Sequence, residues 1–318
     1  MKKEYFLLIL VIVSLGAYLF FHSNNKDNYV LPQISQIDKT QVKAIEIIKP
    51  LKTIDCFRDN DQWVVTSNKF PGDVDTIQEM IAAIANLKVT TLISENPDLK
   101  RYNLDKDKAI KIIAKGKHGI LREFNIGKTA PTQRHTFVTL DKSKMVFYAP
   151  GNLNRLFDKS IDNIRDKAIQ KFDKNNIETL EIKKGKIKRI FSKQVTSVKT
   201  DKKPLKEKTQ WQSIDNKRID PAAITSILDT LSDLRCSTYI ENQTKKDFKA
   251  TPSFITIILK EKKDSNKIYK LNIFPKTKQN IYAGISSQNK YVFALEGYIV
   301  DNIISNTDKL LNIKKGKK

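Results

Sequence analysis

The sequence predicts an α+β protein: an N-terminal transmembrane helix followed by two duplicated α+β modules, each a mainly antiparallel sheet with helices. Three observations predict it. Residues 5–21 carry no charge, a set of short motifs recurs once along the remaining chain, and each copy alternates strand-length apolar runs with one helix-period face.

The uncharged run reads YFLLILVIVSLGAYLFF. As a helix it extends about 25 Å, close to the hydrocarbon thickness of a bilayer. Only Ser14 and Gly16 interrupt its apolar surface, and Tyr5, Tyr18, Phe20 and Phe21 lie near its ends, where aromatic rings anchor at interfaces. No small-residue cleavage pattern and no cysteine follows the run, so an uncleaved anchor is favoured over a signal peptide. Lys2 and Lys3 precede it, and Lys26 is the only Lys or Arg between residues 22 and 36. That bias places the N-terminus in the cytoplasm and the body outside it. The expected divisions are an anchor (1–23), a tether (24–36), a first module (37–169), a second module (170–312) and a basic tail (313–318).

The duplication begins at Ile37-Asp38-Lys39, which recurs as Phe172-Asp173-Lys174. Ala44-Ile45-Glu46-Ile47 recurs as Thr179-Leu180-Glu181-Ile182, and Gln62-Trp63 as Gln210-Trp211. A helix then follows in each copy. Ile77, Ile81, Ile84 and Leu87 match Ile224, Leu228, Leu231 and Leu234, both at helical spacing. Asp73 or Asp75 is placed to cap the first helix and Asp220 the second, with Pro221 in its first turn. Later strands pair as Phe124-Asn125-Ile126 with Leu271-Asn272-Ile273 and Val146-Phe147 with Val292-Phe293. The separation of the copies grows between Glu181 and Trp211, predicting a longer hairpin in the second.

The order of these motifs resembles the DUF4340 family of membrane-anchored bacterial proteins. Beyond the anchor, the repeated strand and the Gln-Trp pair, it is carried by Asn96-Pro97-Asp98-Leu99, Tyr102-Asn103-Leu104-Asp105, Phe124-Asn125-Ile126-Gly127-Lys128 and Ile164-Arg165-Asp166-Lys167. The family's usual Tyr-Gly-Leu-Asp has Asn103 in place of glycine here. The resemblance implies a domain of unknown function, sometimes encoded beside components of gliding-type ABC transporters, and no catalytic residues to carry over.

Lys and Arg number 58 against 35 Asp and Glu, a formal charge of +23. The lysines are scattered, as on a solvated surface. The densest run holds Lys183, Lys184, Lys186, Lys188 and Arg189, the candidate contact for an anionic partner. No aromatic residue interleaves it, as a nucleic-acid module would require, and no nucleic acid is expected. His22, His118 and His135 are too far apart for a metal site. Cys56 and Cys236 fall at unrelated repeat positions and read as buried small hydrophobes rather than a disulfide. Gly127-Lys128-Thr129 lacks the upstream glycines of a phosphate loop. Trp63 and Trp211, sharing one repeat position, read as core rather than ligand platforms.

No cofactor, metal or catalytic constellation is therefore expected. The expected role is a membrane-anchored extracytoplasmic interaction or scaffold protein, accessory to an ABC transporter or envelope assembly. Its partners would be the bilayer through residues 5–21 and an envelope protein. The alternative is an envelope polymer-processing enzyme with a site between the modules.

Overall fold

The computed structural model describes residues 3–23, 29–66, 68–141, 143–200, 203–261, 268–276 and 281–312. It is built mostly of antiparallel sheet with a few helices. Two compact units divide the chain: Met1–Thr66 with Val74–Lys159, and Ser67–Asp73 with Ser160–Lys318. The division falls upstream of the edge expected at 169, and a short piece of the first copy is counted with the second unit.

Helix α1 (Lys3–Ser23) opens the chain. Its described side chains are Tyr5 and residues 8–18, and every large apolar one among them is exposed. That described stretch is roughly 16 Å long, about half a bilayer core. Among the described residues no helix is long and apolar enough to cross a membrane.

The first unit contains β1 (Ala44–Lys49), β2 (Lys52–Asp59) and β3 (Gln62–Val65). The short β4 (Phe70–Pro71) belongs to the second unit. Then come α2 (Val74–Ala85), β5 (Thr91–Ser94), β6 (Ile110–Gly116), β7 (Gly119–Thr129), β8 (His135–Leu140), β9 (Val146–Pro150) and α3 (Leu153–Phe157). Within this unit the sheet order is β3-β2-β1-β6-β7-β8-β9-β5. Alternate residues of a strand face one side, so Ile45 and Ile47 are buried on β1 while Glu46 pairs with Lys115 on the other face. Ile77, Met80, Ile81 and Ile84 supply the buried stripe of α2, and Phe124 meets Phe157 of α3 edge to face. A smaller core forms from Leu104, Ala130, Phe137 and Val146, with Leu99 and Tyr102 packed on it.

The second unit contains β10 (Ala168–Lys171), β11 (Ile177–Lys184), β12 (Ile187–Thr200), β13 (Lys203–Ser213), α4 (Pro221–Ser232), β14 (Asp233–Arg235) and β15 (Thr238–Tyr239). It ends with β16 (Ile255–Glu261), β17 (Ile268–Ile273), β18 (Tyr282–Ser286), β19 (Asn289–Leu295) and α5 (Gly297–Leu311). Its main sheet runs β13-β12-β11-β16-β17-β18-β19-β15, the same order as the first unit strand for strand. β10 pairs separately with β14, which is why residues before 170 join this unit.

Local details repeat with the order. Asp38 and Asp173 each cap a single 3₁₀ turn by accepting from the amide two residues on. The amide of Ile37 bonds to the carbonyl of Ala85, and that of Phe172 to Ser232, each at a helix end. The β12–β13 ladder continues from Lys193↔Trp211 to Thr200↔Lys203, whereas β2–β3 stops at Asp59↔Gln62. The longer hairpin expected in the second copy is present.

Candidate interaction surfaces

The lysine-rich run turns at Gly185, whose φ of 59° suits glycine. On the β11–β12 hairpin Arg189 lies opposite Ile182 and so shares its buried face. There Arg189 donates to the carbonyl of Leu310 near the end of α5, to Ser213 Oγ at 3.1 Å and to Asp215 at 3.0 Å. A helix C-terminus favours a cation, and the guanidinium supplies one. Bonds from Ser213 and Arg189 hold the Asp215 carboxyl well below the usual carboxylate range. Lys184 bonds Asp308 and sits 5.1 Å over Phe254, and Lys188 pairs with Glu181 at 2.9 Å. Lys183 and Lys186 alone in this run are exposed with no ion pair among the described residues. Two of the five basic residues, Lys184 and Arg189, thus join the hairpin to α5, Lys188 pairs within the hairpin, and Lys183 and Lys186 stay exposed.

The tryptophans have matched surroundings. Arg58 lies over Trp63 at 5.4 Å and Lys193 over Trp211 at 5.5 Å, each from the directly opposite strand position. Trp63 is buried and Trp211 half-buried. With one ring face covered by a cation, both serve packing.

Family-like motifs resolve into backbone fits. Asn103 adopts the left-handed conformation (φ 56°, ψ 36°) and closes the turn Leu99–Tyr102. Glycine is favoured there and asparagine is the next best residue, which explains how this chain replaces the usual glycine. A Cβ on Gly127 would stand 2.3 Å from the carbonyl oxygen of Tyr102, so only glycine lets β7 pass under that turn. Residues 127–129 end a strand. Nearby, Lys49, Asn103, Lys108, Lys128 and Asp158 line a concavity of about 430 Å³. Its Lys49 is already bound to Asp158 at 2.7 Å and to the carbonyl of Lys159.

Arg165 was legible in sequence only as part of a motif. Its side chain is 1% exposed, donates to Glu241 at 2.7 Å and Asp162 at 3.3 Å, and stacks 4.1 Å from the ring of Phe70. Phe70 in turn contacts Tyr239 and Tyr291. The available signal was an arginine set between Asp162 and Asp166 and directly after Ile164.

His118 is exposed in the β6–β7 turn, and His135 lies 5.2 Å from Tyr148. The His22 side chain and the basic tail 313–318 lie outside the described residues. Among the described residues no group of three or more His, Cys, Asp or Glu is placed to hold a metal. Asp220 caps α4 as expected, and Asp75 sits in the first turn of α2. Cys56 and Cys236 are free and buried, and burial pushes both thiols up to about 12.

Two concavities flank the tip of the β6–β7 hairpin, of about 540 and 550 Å³, and share Ile120 and Leu121. One is edged by Lys43, Lys117 and His118. The other is closed by Pro32, Gln33 and Ile34, which precede β1. Arg122 ties this segment to the end of α2 by donating to the carbonyl of Ser35 and to those of Ile84 and Ala85.

No curated protein and no solved structure matches the chain. A family model described as a domain of unknown function, DUF4340, matches residues 63–253, more than half of the chain. The match starts on β3 of the first unit and ends before β16 of the second, so it straddles both. The chain belongs to the DUF4340 family.

Proposed function

We propose that this chain is a single-pass membrane protein whose residues 5–21 hold it in the bilayer, with the body outside the cytoplasm. We further propose that the body is a duplicated, non-catalytic interaction module, accessory to a transporter or envelope assembly. The observation that carries the reading is the uncharged run 5–21, lying within a helix whose described large apolar side chains all face outward. A helix apolar all round is stable when buried or in lipid, and a bilayer supplies that environment. The matched strand order of the two units supports duplication. The use of Trp63, Trp211, Arg165 and Arg189 in packing supports a binding rather than a catalytic body.

The test is alkaline extraction of membranes from cells making the full chain, beside a variant lacking residues 1–23. The full chain is expected to stay with the membrane and the shortened chain to leave it. Release of both at alkaline pH would refute the anchor.

A further inference from the structure

We propose that the β6–β7 hairpin of the first unit seats an anionic phospholipid headgroup of the membrane that holds the chain. The proposal rests on the anchor proposed above and adds a second, polar contact to it.

Three independent features meet at this hairpin. The first is charge. Lys111 and Lys115 on β6 are neutralised by Glu123 and Glu46, whereas Lys43 and Lys117, at the edge of the concavity, have no carboxylate partner among the described residues. Lys39 is exposed nearby in chain order, two residues before Gln41 of the same lining. Unpaired lysines over a hollow suit a phosphate.

The second feature is an apolar edge. Ile120 is 59% exposed directly after the turn Lys117-His118-Gly119, and it borders both concavities with Leu121. An isoleucine exposed beside unpaired lysines suits the boundary between headgroups and acyl chains.

The third feature is reach. Pro32, Gln33 and Ile34 line the concavity on the other side of the same hairpin, and Arg122 of β7 binds Ser35. From Phe21 to Pro32 an extended chain covers at most about 40 Å, so the anchor keeps this hairpin within one molecular length of the lipid surface. A phosphate would be met by the ammonium groups of Lys43 and Lys117, with Ile120 turned towards the acyl region.

The experiment uses the full chain reconstituted into vesicles, with a bimane label on Ile120→Cys. Cys56 and Cys236 are buried with raised thiol pKa values, so the label goes to the new thiol. Vesicles of phosphatidylglycerol or phosphatidylcholine, each with brominated acyl chains, report contact by quenching. Quenching several-fold stronger in phosphatidylglycerol is expected, and Lys43→Glu with Lys117→Glu should abolish the difference. Two lysines worth about fivefold each in surface affinity set an upper bound of about 25-fold on that difference. Equal quenching in both lipids, or none while the chain stays with the vesicles, overturns the proposal and leaves the anchor standing. A chain that separates from the vesicles refutes the anchor itself, and the headgroup contact with it.

Discussion

The two units share one strand order but receive the incoming chain differently. At equivalent register positions, Arg122 of the first unit lies opposite Ala114 and Tyr269 of the second opposite Leu259. Arg122 ties the entering segment to the end of α2, donating to the carbonyl of Ser35 on the one and to those of Ile84 and Ala85 on the other. Tyr269 instead packs its ring 4.8 Å from Phe172, the counterpart of Ile37. Both Tyr269 and Phe172 are buried, while Ile37 is only half-buried. A chain arriving from the tether is thus gripped by polar bonds, and one arriving from within the body by apolar burial. One scaffold tolerates both because the strand ladder, and not the side chain at this register, defines the fold.

Replacing Arg122 with Ala should have the largest effect on this contrast. Charge-assisted bonds of this kind contribute about 1.5–3 kcal/mol each at most, and they are not additive. A loss of about 3 kcal/mol is expected in denaturant unfolding of the full chain. The double variant Arg122→Tyr with Ile37→Phe copies the second unit and should recover part of that loss. No recovery would show that the two entry modes are not interchangeable.

The glycines give the next comparison. On Gly127 a Cβ meets a backbone oxygen, whereas on Gly284 it meets the ring edge of Phe293 at 2.4 Å. A ring can shift more readily than a carbonyl. Gly127→Ala should cost about 2–3 kcal/mol and Gly284→Ala about 1 kcal/mol, measured by thermal unfolding. The reverse order would contradict the backbone-fit explanation of the family motif.

The matched cation–ring pairs should have smaller and similar values. Arg58→Ala and Lys193→Ala, each read in a double-mutant cycle with Trp→Phe on its partner, should give coupling of about 0.5–1 kcal/mol. The smallest effect concerns acid. The Asp215 carboxyl titrates lower in the folded chain than the ordinary 3.8. Its contribution is complete above that ordinary value and disappears as pH falls through the lower folded one. Asp215→Asn should flatten that acid limb, and an unchanged limb would show that the Arg189 and Ser213 bonds carry no linkage.

Much of the scaffold was legible in the sequence because a core face repeats whenever a module does. The helix positions Ile77, Ile81 and Ile84 and their counterparts Ile224, Leu228 and Leu231 are buried. The candidate site was less legible. Counting lysines in 183–189 gave charge but no direction, whereas strand alternation around Gly185 puts Arg189 on the core side. The assignment of Ser67–Asp73 to the second unit had no local signal, since Phe70 acquires its partners from residues far along the chain. Nothing in the pattern of 116–121 singles out Ile120, because its exposure and its place beside residues 32–34 depend on the folded chain.

The most direct measurement is protease digestion of sealed right-side-out membrane vesicles containing the full chain. Cleavage of the body after residue 29 from the outer side, with residues 1–23 retained in the membrane, is the predicted result. A body cut only after the vesicles are broken would place it in the cytoplasm and contradict the account.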